Sequence, residues 1–476
     1  MTSRASLAGA CAPRNGFRFE AAGVAGTTAR LADLVRGCAF ELDVATLAAR
    51  MLFDSPIEVG ATPYRGIRAA YARSHELPPF DVAPPRAIAE AVSALRAALE
   101  AGVAHALRGA RRAAVLTGGG VDSSALLALA QAWARRNDAT VFGTAMEFEG
   151  PGDDRPHLVA LERHLGCEVI RASPEEAGRR MELFFEGVDA APLTWPGASM
   201  EVEALARARE HGAEVVLTGV GADELFDGDP RALARLARRH LWSAVRSARV
   251  MRGFDAPSSP ALAWIVRPHA ARVVPAVVRR WRSRRRPQTP PAWAGPTLVE
   301  AVRRHEEHRL DEGPRAQLSS PWESPHHEHL AWLRHQEDVA AGIECRQVFL
   351  ERSLRSLVLT FPPEWLLHGA IRRGLFREAV RDLLPRPLVE RVDKARFEGA
   401  FCRTLAAAGG FEHLRPLASG ERLGALGLVE PHRFGQAFDA FERSPDDGEH
   451  WASLWPALGV EAFLRTHERQ AGRSSS

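Results

Sequence analysis

Ala113-Ala114-Val115-Leu116-Thr117-Gly118-Gly119-Gly120-Val121-Asp122-Ser123-Ser124-Ala125-Leu126 is the stretch whose reading decides the fold. Ala114, Val115 and Leu116 suit a short buried strand, three glycines follow at once, and from Ser123 the spacing turns helical. Glycines let backbone amides come close to an anion. Ser123 and Ser124 add hydroxyls and amides at the positive end of the helix, and Asp122 offers a carboxylate to a divalent metal bridging phosphates. The stretch suits pyrophosphate. No Gly-Lys-Ser/Thr closes it, so it is not a Walker loop, and its glycine spacing is not that of a dinucleotide fingerprint.

Outward from this stretch the periodicity alternates. Strands are expected at 140–148, 168–172 and 214–218, and helices at 85–109, 123–135, 155–165, 174–187 and 200–211. This predicts an α/β fold built on a doubly wound parallel sheet, with ligands beyond the carboxyl ends of the strands. A second glycine-bearing segment, Leu217-Thr218-Gly219-Val220-Gly221-Ala222-Asp223-Glu224-Leu225-Phe226-Asp227-Gly228, falls at such an end. Near the start of the chain, Asp43 stands as a cap before a helical pattern, and 62–67 reads as a turn entering a strand. Residues 1–35 carry no clear period.

Composition bounds the function classes. At 476 residues, 46% hydrophobic and 25% charged, the chain has room for two or three domains with a sizeable core. A net charge of +3 does not argue for a nucleic-acid partner. Cys11, Cys38, Cys167, Cys345 and Cys402 are scattered without a CxxC pair, as expected for reduced thiols in the cytoplasm. The most apolar stretch, 261–278, is broken by Arg267, Pro268, His269, Arg272 and Pro275, so no membrane span is expected. Region 231–286 is rich in arginine and reads as a solvated helical face, or as a dock for an acidic peptide or for RNA, with no interleaved aromatics for RNA beyond Trp242 and Trp281. The histidines His326, His327 and His329 are read as a loop. Of 62 Lys plus Arg residues one alone is lysine, Lys394. Where arginine has replaced lysine everywhere else, a surviving lysine marks a place that needs a compact ammonium.

Gly118-Gly119-Gly120-Val121-Asp122-Ser123-Ser124 resembles the Ser-Gly-Gly-Leu-Asp-Ser-Ser pyrophosphatase loop of the asparagine synthetase family, with Gly118 for the first serine and Thr117 beside it as a substitute hydroxyl. The segment 217–228 is similar to that family's Gly-Glu-Gly-Ala-Asp-Glu-Leu-Phe-Gly-Gly, with Val220 in place of glutamate. Glu344-Cys345-Arg346-Gln347-Val348-Phe349-Leu350-Glu351 resembles its Glu-x-Arg-x-Pro-Phe-Leu-Asp. Arg372, Arg373 and 375–379 match a helix with lysine at the place of Arg373, and 390–397 matches an Arg-x-x-Lys-x-x-Phe signature whose lysine falls on Lys394. The resemblance covers roughly 40–405.

It implies an ATP-dependent amide synthetase that adenylates a carboxylate, releases pyrophosphate, and passes the acyl group to an amine with release of AMP. ATP would lie on Thr117, Gly118, Gly119, Gly120, Asp122, Ser123, Ser124, Gly219 and Gly221. Mg2+ would lie between Asp122 and Asp223. Lys394, Arg373 and Glu344 would be the catalytic side chains, Arg373 as a secondary phosphate contact. Glu224 reads equally as a capping carboxylate. Val220 cannot take a proton, so the base for the amine would come from elsewhere. Thr2 stands where the family's glutaminase has its cysteine, so glutamine is not expected as nitrogen donor. Among such relatives, lasso peptide cyclases close a precursor peptide onto its own N-terminal amine, and this macrolactam type is the leading expectation, with a peptide or small-molecule carboxylate as substrate and a leader-binding or protease partner. An ammonia-dependent asparagine synthetase, a small-molecule lactam synthetase, an RNA-modifying pyrophosphatase and a nucleotide-binding partner subunit stand as alternatives. The expected organisation is a reduced N-terminal segment at 1–84, an ATP-pyrophosphatase core at 85–230, an arginine-rich insertion at 231–300, and a helical C-terminal lobe at 301–476.

Overall fold

Alternation along the central strands builds two apolar layers. In β4 (Arg112–Leu116), Ala113 and Val115 face a core made by the helices Ile88–Ala106 and Val121–Asn137, while Ala114 faces the helix Ala198–Glu210 on the other side. β7 (Val215–Thr218) repeats the pattern, with Val215 and Leu217 on the first side and Val216 on the second. A strand buried on both faces reads as a continuous apolar run, which is what these segments are. The computed structural model describes residues 15–21, 27–36, 40–52, 60–73, 85–147, 149–150, 153–227, 241–242, 244–245, 290–311, 325–391 and 396–474.

With β5 (Thr140–Met146), β6 (Val169–Ala172) and β8 (Glu344–Gln347), the strands form a five-stranded parallel sheet in the order β6-β5-β4-β7-β8. Ala113 lies opposite Val215 and Val115 opposite Leu217. From β4 the chain winds outward through β5 to β6, then crosses back to β7 on the other side of β4. The doubly wound expectation is met. Strand order reverses between β4 and β7, and the crevice at such a switch point is where ligands bind in these sheets. β8 comes from beyond residue 340 and completes the sheet from the C-terminal part of the chain.

Several expectations are corrected in detail. The helix foreseen at 174–187 is three short pieces, Pro174–Ala177, Gly178–Met181 and Glu182–Glu186. Gly178 lies so close to Ala407 that an added Cβ would stand 2.6 Å from it, and the middle piece tightens to a 3-10 turn there. The histidine segment read as a loop opens a helix instead, Pro325–Ala341. Pro325 presets φ for a first helical turn, a signal that outweighs the polar run after it. Residues 1–35, which lack a period, contribute β1 (Asn15–Ala21) and β2 (Thr27–Thr28) to a three-stranded antiparallel sheet with β3 (Ile67–Arg73). The arginine-rich region 231–286 lies outside the described residues apart from 241–242 and 244–245.

The N-terminal segment shares a core with the C-terminal lobe. Phe19, Leu47, Met51 and Tyr64 pack with Trp332, Phe434, Trp455 and Leu458. Asp43 caps the helix Val44–Arg50, its Oδ1 accepting from the amides of Ala45 and Thr46 at 3.0 and 3.1 Å. A buried joint ties this segment to the sheet body. Asp189 accepts the N–H groups of Leu31 and Ala32, each at 3.0 Å, and lies 2.8 Å from Nε2 of His335.

Candidate functional site

Both glycine segments leave the carboxyl ends of adjacent central strands, so the sheet sets them side by side. The amide of Thr117, buried just past β4, donates to the carbonyl of Thr144 at 2.8 Å and carries the sheet pairing one residue further. The chain then turns back on the helix it starts. Gly118 N–H donates to Oγ of Ser123 at 3.1 Å, Oγ of Ser124 donates to the Gly118 carbonyl at 3.3 Å, and Oγ1 of Thr117 donates to the same carbonyl at 3.2 Å. Gly120 is the residue before the helix Val121–Asn137, whose first amides form the positive end facing the crevice.

Crowding explains Gly118 and Gly119, whereas a Cβ on Gly120 would meet nothing within 4 Å. A Cβ on Gly119 would collide with Nη1 of Arg391 and stand 2.8 Å from Cβ of His157 and 3.0 Å from Oδ1 of Asp154. A Cβ on Gly118 would stand 3.0 Å from Oδ2 of Asp154. The carboxylate of Asp154 therefore sits beside the place where a serine side chain would begin. Asp154 in turn holds Arg391 Nη1 at 2.5 Å in a largely buried ion pair. In the second segment, Gly219 lies against Ser123, its missing Cβ 3.7 Å from Cβ of that serine. Gly221 has φ +93° and its Cβ would be 2.5 Å from Leu350, so glycine is required there by conformation and by space.

Three aspartates converge at this junction. Arg373, with its guanidinium largely buried, pairs through Nη1 with Oδ2 of Asp122, through Nη2 with Oδ1 of Asp223, and through Nε with Oδ1 of Asp227 at 2.6 Å. Arg372 pairs with the other oxygen of Asp227. Burial and the neighbouring Arg377 push the pKa of Arg373 down to about 10, and burial pushes that of Arg377 down to the same value. Both guanidiniums remain charged at neutral pH. Arg373 itself has φ +57° and stands before the short helix Gly374–Ala379, a left-handed conformation that costs a non-glycine residue about 1 kcal/mol or more.

Among the expected site residues, Thr117, Gly118, Gly119, Gly120, Asp122, Ser123, Ser124, Gly219, Gly221, Asp223 and Arg373 lie on these two adjoining loops and on the arginine that bridges them. Glu344 is not brought there. It begins β8 opposite Val215, at the amino end of the sheet, with Arg346 Nε and Nη2 each 3.0 Å from its carboxylate. Lys394 lies outside the described residues. Asp227, Arg372, Asp154, His157 and Arg391 were not singled out as site residues. Asp227 follows Asp223 by four positions, one helical turn, a spacing that could have flagged it; Asp154 and His157 carry no local signal.

A divalent ion fits this donor set. Oδ1 of Asp122 is buried and accepts no hydrogen bond, while the other oxygen and that of Asp223 already converge on a single cationic group. Among the described residues no group of three or more His, Cys, Asp or Glu side chains is arranged to hold a metal alone. Two carboxylates are what Mg2+ ordinarily takes from a protein when phosphates and water complete its shell.

No described helix is long and apolar enough to cross a membrane. A comparison with curated proteins finds no match. The family model for asparagine synthase matches residues 94–465, from the helix that precedes the first glycine loop to the last helix of the chain. The chain thus belongs to the asparagine synthase family, whose members are ATP-dependent ligases that form carbon–nitrogen bonds.

Proposed function

We propose that this chain activates a carboxylate as an acyl-adenylate and closes it onto an amine of the same peptide, forming a macrolactam. The observation that carries the reading is the meeting of Asp122, Asp223 and Arg373 at the switch point between β4 and β7, where leaving pyrophosphate needs positive charge and amide donors. In the first step a carboxylate oxygen attacks the α-phosphorus of ATP, and the bond from that phosphorus to the bridging oxygen breaks with the electron pair leaving on pyrophosphate. The amides around Gly118, Gly119 and Gly120, the helix terminus and Arg373 stabilise the charge on that leaving group. A divalent ion held by Asp122 and Asp223 would neutralise the same charge.

In the second step the amine nitrogen attacks the acyl carbon, AMP leaves with the bond pair, and the nitrogen gives up a proton. Lys394 is assigned to phosphate charge in both steps. Val220, between Gly219 and Gly221, offers no base, which favours an acyl-adenylate reactive enough to take an amine presented by the substrate. An amine already part of the acyl donor meets that need by proximity. The arginine-rich region 231–286 supports an acidic peptide as the substrate, in the cytoplasm and with a leader-binding or protease partner preparing it.

The test incubates the purified protein with ATP, Mg2+ and the short peptides encoded beside its gene. The reading predicts AMP and a peptide lighter by one water, resistant to aminopeptidase. AMP formation with free aspartate and ammonia, giving asparagine and no dehydrated peptide, would contradict it.

A further inference from the structure

Arg373 occupies the point on which the carboxylates of Asp122 and Asp223 converge. Its three guanidinium nitrogens are divided among Asp122, Asp223 and Asp227, which come from the helix after the first loop and from the end of the second. The backbone is fixed to put it there. Its own φ is left-handed, and the next residue, Gly374, has its Cα turned so tightly against the His368 carbonyl that no side chain would fit. Arg372 holds the far oxygen of Asp227, which leaves Arg373 free to spread over the other two aspartates.

We propose that Arg373 is a resident counter-cation. In the nucleotide-free protein it holds Asp122 and Asp223 together and keeps the site closed to divalent ions, and it yields those carboxylates when nucleotide phosphates draw the guanidinium off. Carboxylates and phosphates are matched by the same planar fork of donors, so phosphate oxygens are direct competitors for Arg373. The exchange conserves charge locally. Arg373 passes from carboxylate to phosphate while the freed carboxylates turn to the metal that accompanies the phosphates. A lysine at this position would lack that reach, since one ammonium cannot serve three carboxylates in a plane. The departure from the family's lysine at Arg373 thereby becomes functional. This inference rests on the adenylating reading for the identity of the site.

Two measurements test it without acyl donor or amine. The first titrates Mn2+ into nucleotide-free protein and follows the free ion by electron paramagnetic resonance. Arg373→Gln is expected to bind Mn2+ at least tenfold more tightly than the wild-type chain, and Arg373→Lys severalfold more tightly. Adding Asp122→Asn to Arg373→Gln should abolish the gain. Should Arg373→Gln fail to fold, Arg373→Lys decides. Equal Mn2+ affinity in the wild-type chain and the folded variant would overturn the proposal.

The second compares ATP binding in EDTA and in Mg2+. Wild-type protein should retain binding in EDTA through Arg373, whereas Arg373→Gln should bind ATP only with Mg2+. Wild-type binding that vanishes in EDTA would overturn the proposal. Failure of carboxylate-dependent chemistry would strike the adenylation reading and leave both of these results standing.

Discussion

Arg373 and Asp122 meet across 251 positions of sequence, and that ion pair joins the helix after the first glycine loop to the C-terminal part of the chain. Both side chains are mostly buried. Removing Arg373 strands carboxylates, typically at a cost of about 3 kcal/mol or more, whereas removing Asp122 leaves Arg373 on Asp223 and Asp227, and removing both costs less than the sum. Arg373→Ala should lower the melting temperature by several degrees and Asp122→Ala by less, and the double variant should be more stable than additivity predicts. Thermal unfolding of the four proteins gives the answer. Strict additivity would mean that the two side chains are not coupled.

Gly119→Ala should cripple nucleotide binding. Its new methyl group meets Arg391, His157 and Asp154 at once, and Arg391 is held in place by Asp154. The expected loss of ATP affinity in equilibrium dialysis is tenfold or more. Gly399→Ala, whose Cβ meets nothing within 4 Å in the helix Glu398–Ala407, should leave ATP affinity unchanged and raise stability by about 0.5 kcal/mol.

Beneath β8 a half-buried carboxyl group, one oxygen of it out of solvent, makes stability depend on pH. Asp338 accepts the amide of Cys345 at 3.3 Å, and burial pushes its pKa up to about 7. Between an unfolded value of about 4 and pH 7, the folded chain keeps a proton that the unfolded chain has lost. The stability that neutral Asp338 contributes is therefore complete below the unfolded pKa, declines as pH rises, and is lost above 7. Asp338→Asn removes this proton and keeps an oxygen for the Cys345 amide. The wild-type melting temperature should fall more steeply than the variant's from pH 5 to pH 7. Parallel curves would show that Asp338 does not titrate in that window.

Much of the site was legible because its groups are local to two short segments. The strand, glycine turn and helix around Asp122 are set by neighbours in sequence, and so is the loop before Asp223. What the residues alone could not supply was the third dimension of the crevice. Asp154 and His157 reach Gly119 only because the parallel sheet stacks the loops after β4 and β5, and nothing near them in sequence marks the contact. Arg373 is expected from the sequence as a phosphate contact, but its bridging of the carboxylates was not legible, since that depends on a left-handed backbone at a residue other than glycine. Glu344 shows the converse. Its string matches the family, but a parallel strand puts its first residue at the amino end, away from the loops. The turn into β3 was legible at 62–67, but β1 and β2 were not, because β1 gains its stability from pairing with β3, about fifty residues away, and from the C-terminal core.

Carboxylate-dependent exchange of labelled pyrophosphate into ATP measures the central claim most directly, because only a reversible acyl-adenylate returns the label. The account predicts exchange that requires the acyl donor and is lost by at least a hundredfold in Lys394→Ala and in Asp122→Ala. ATP that binds but yields no exchange with any carboxylate, or that is cleaved to ADP, would contradict it.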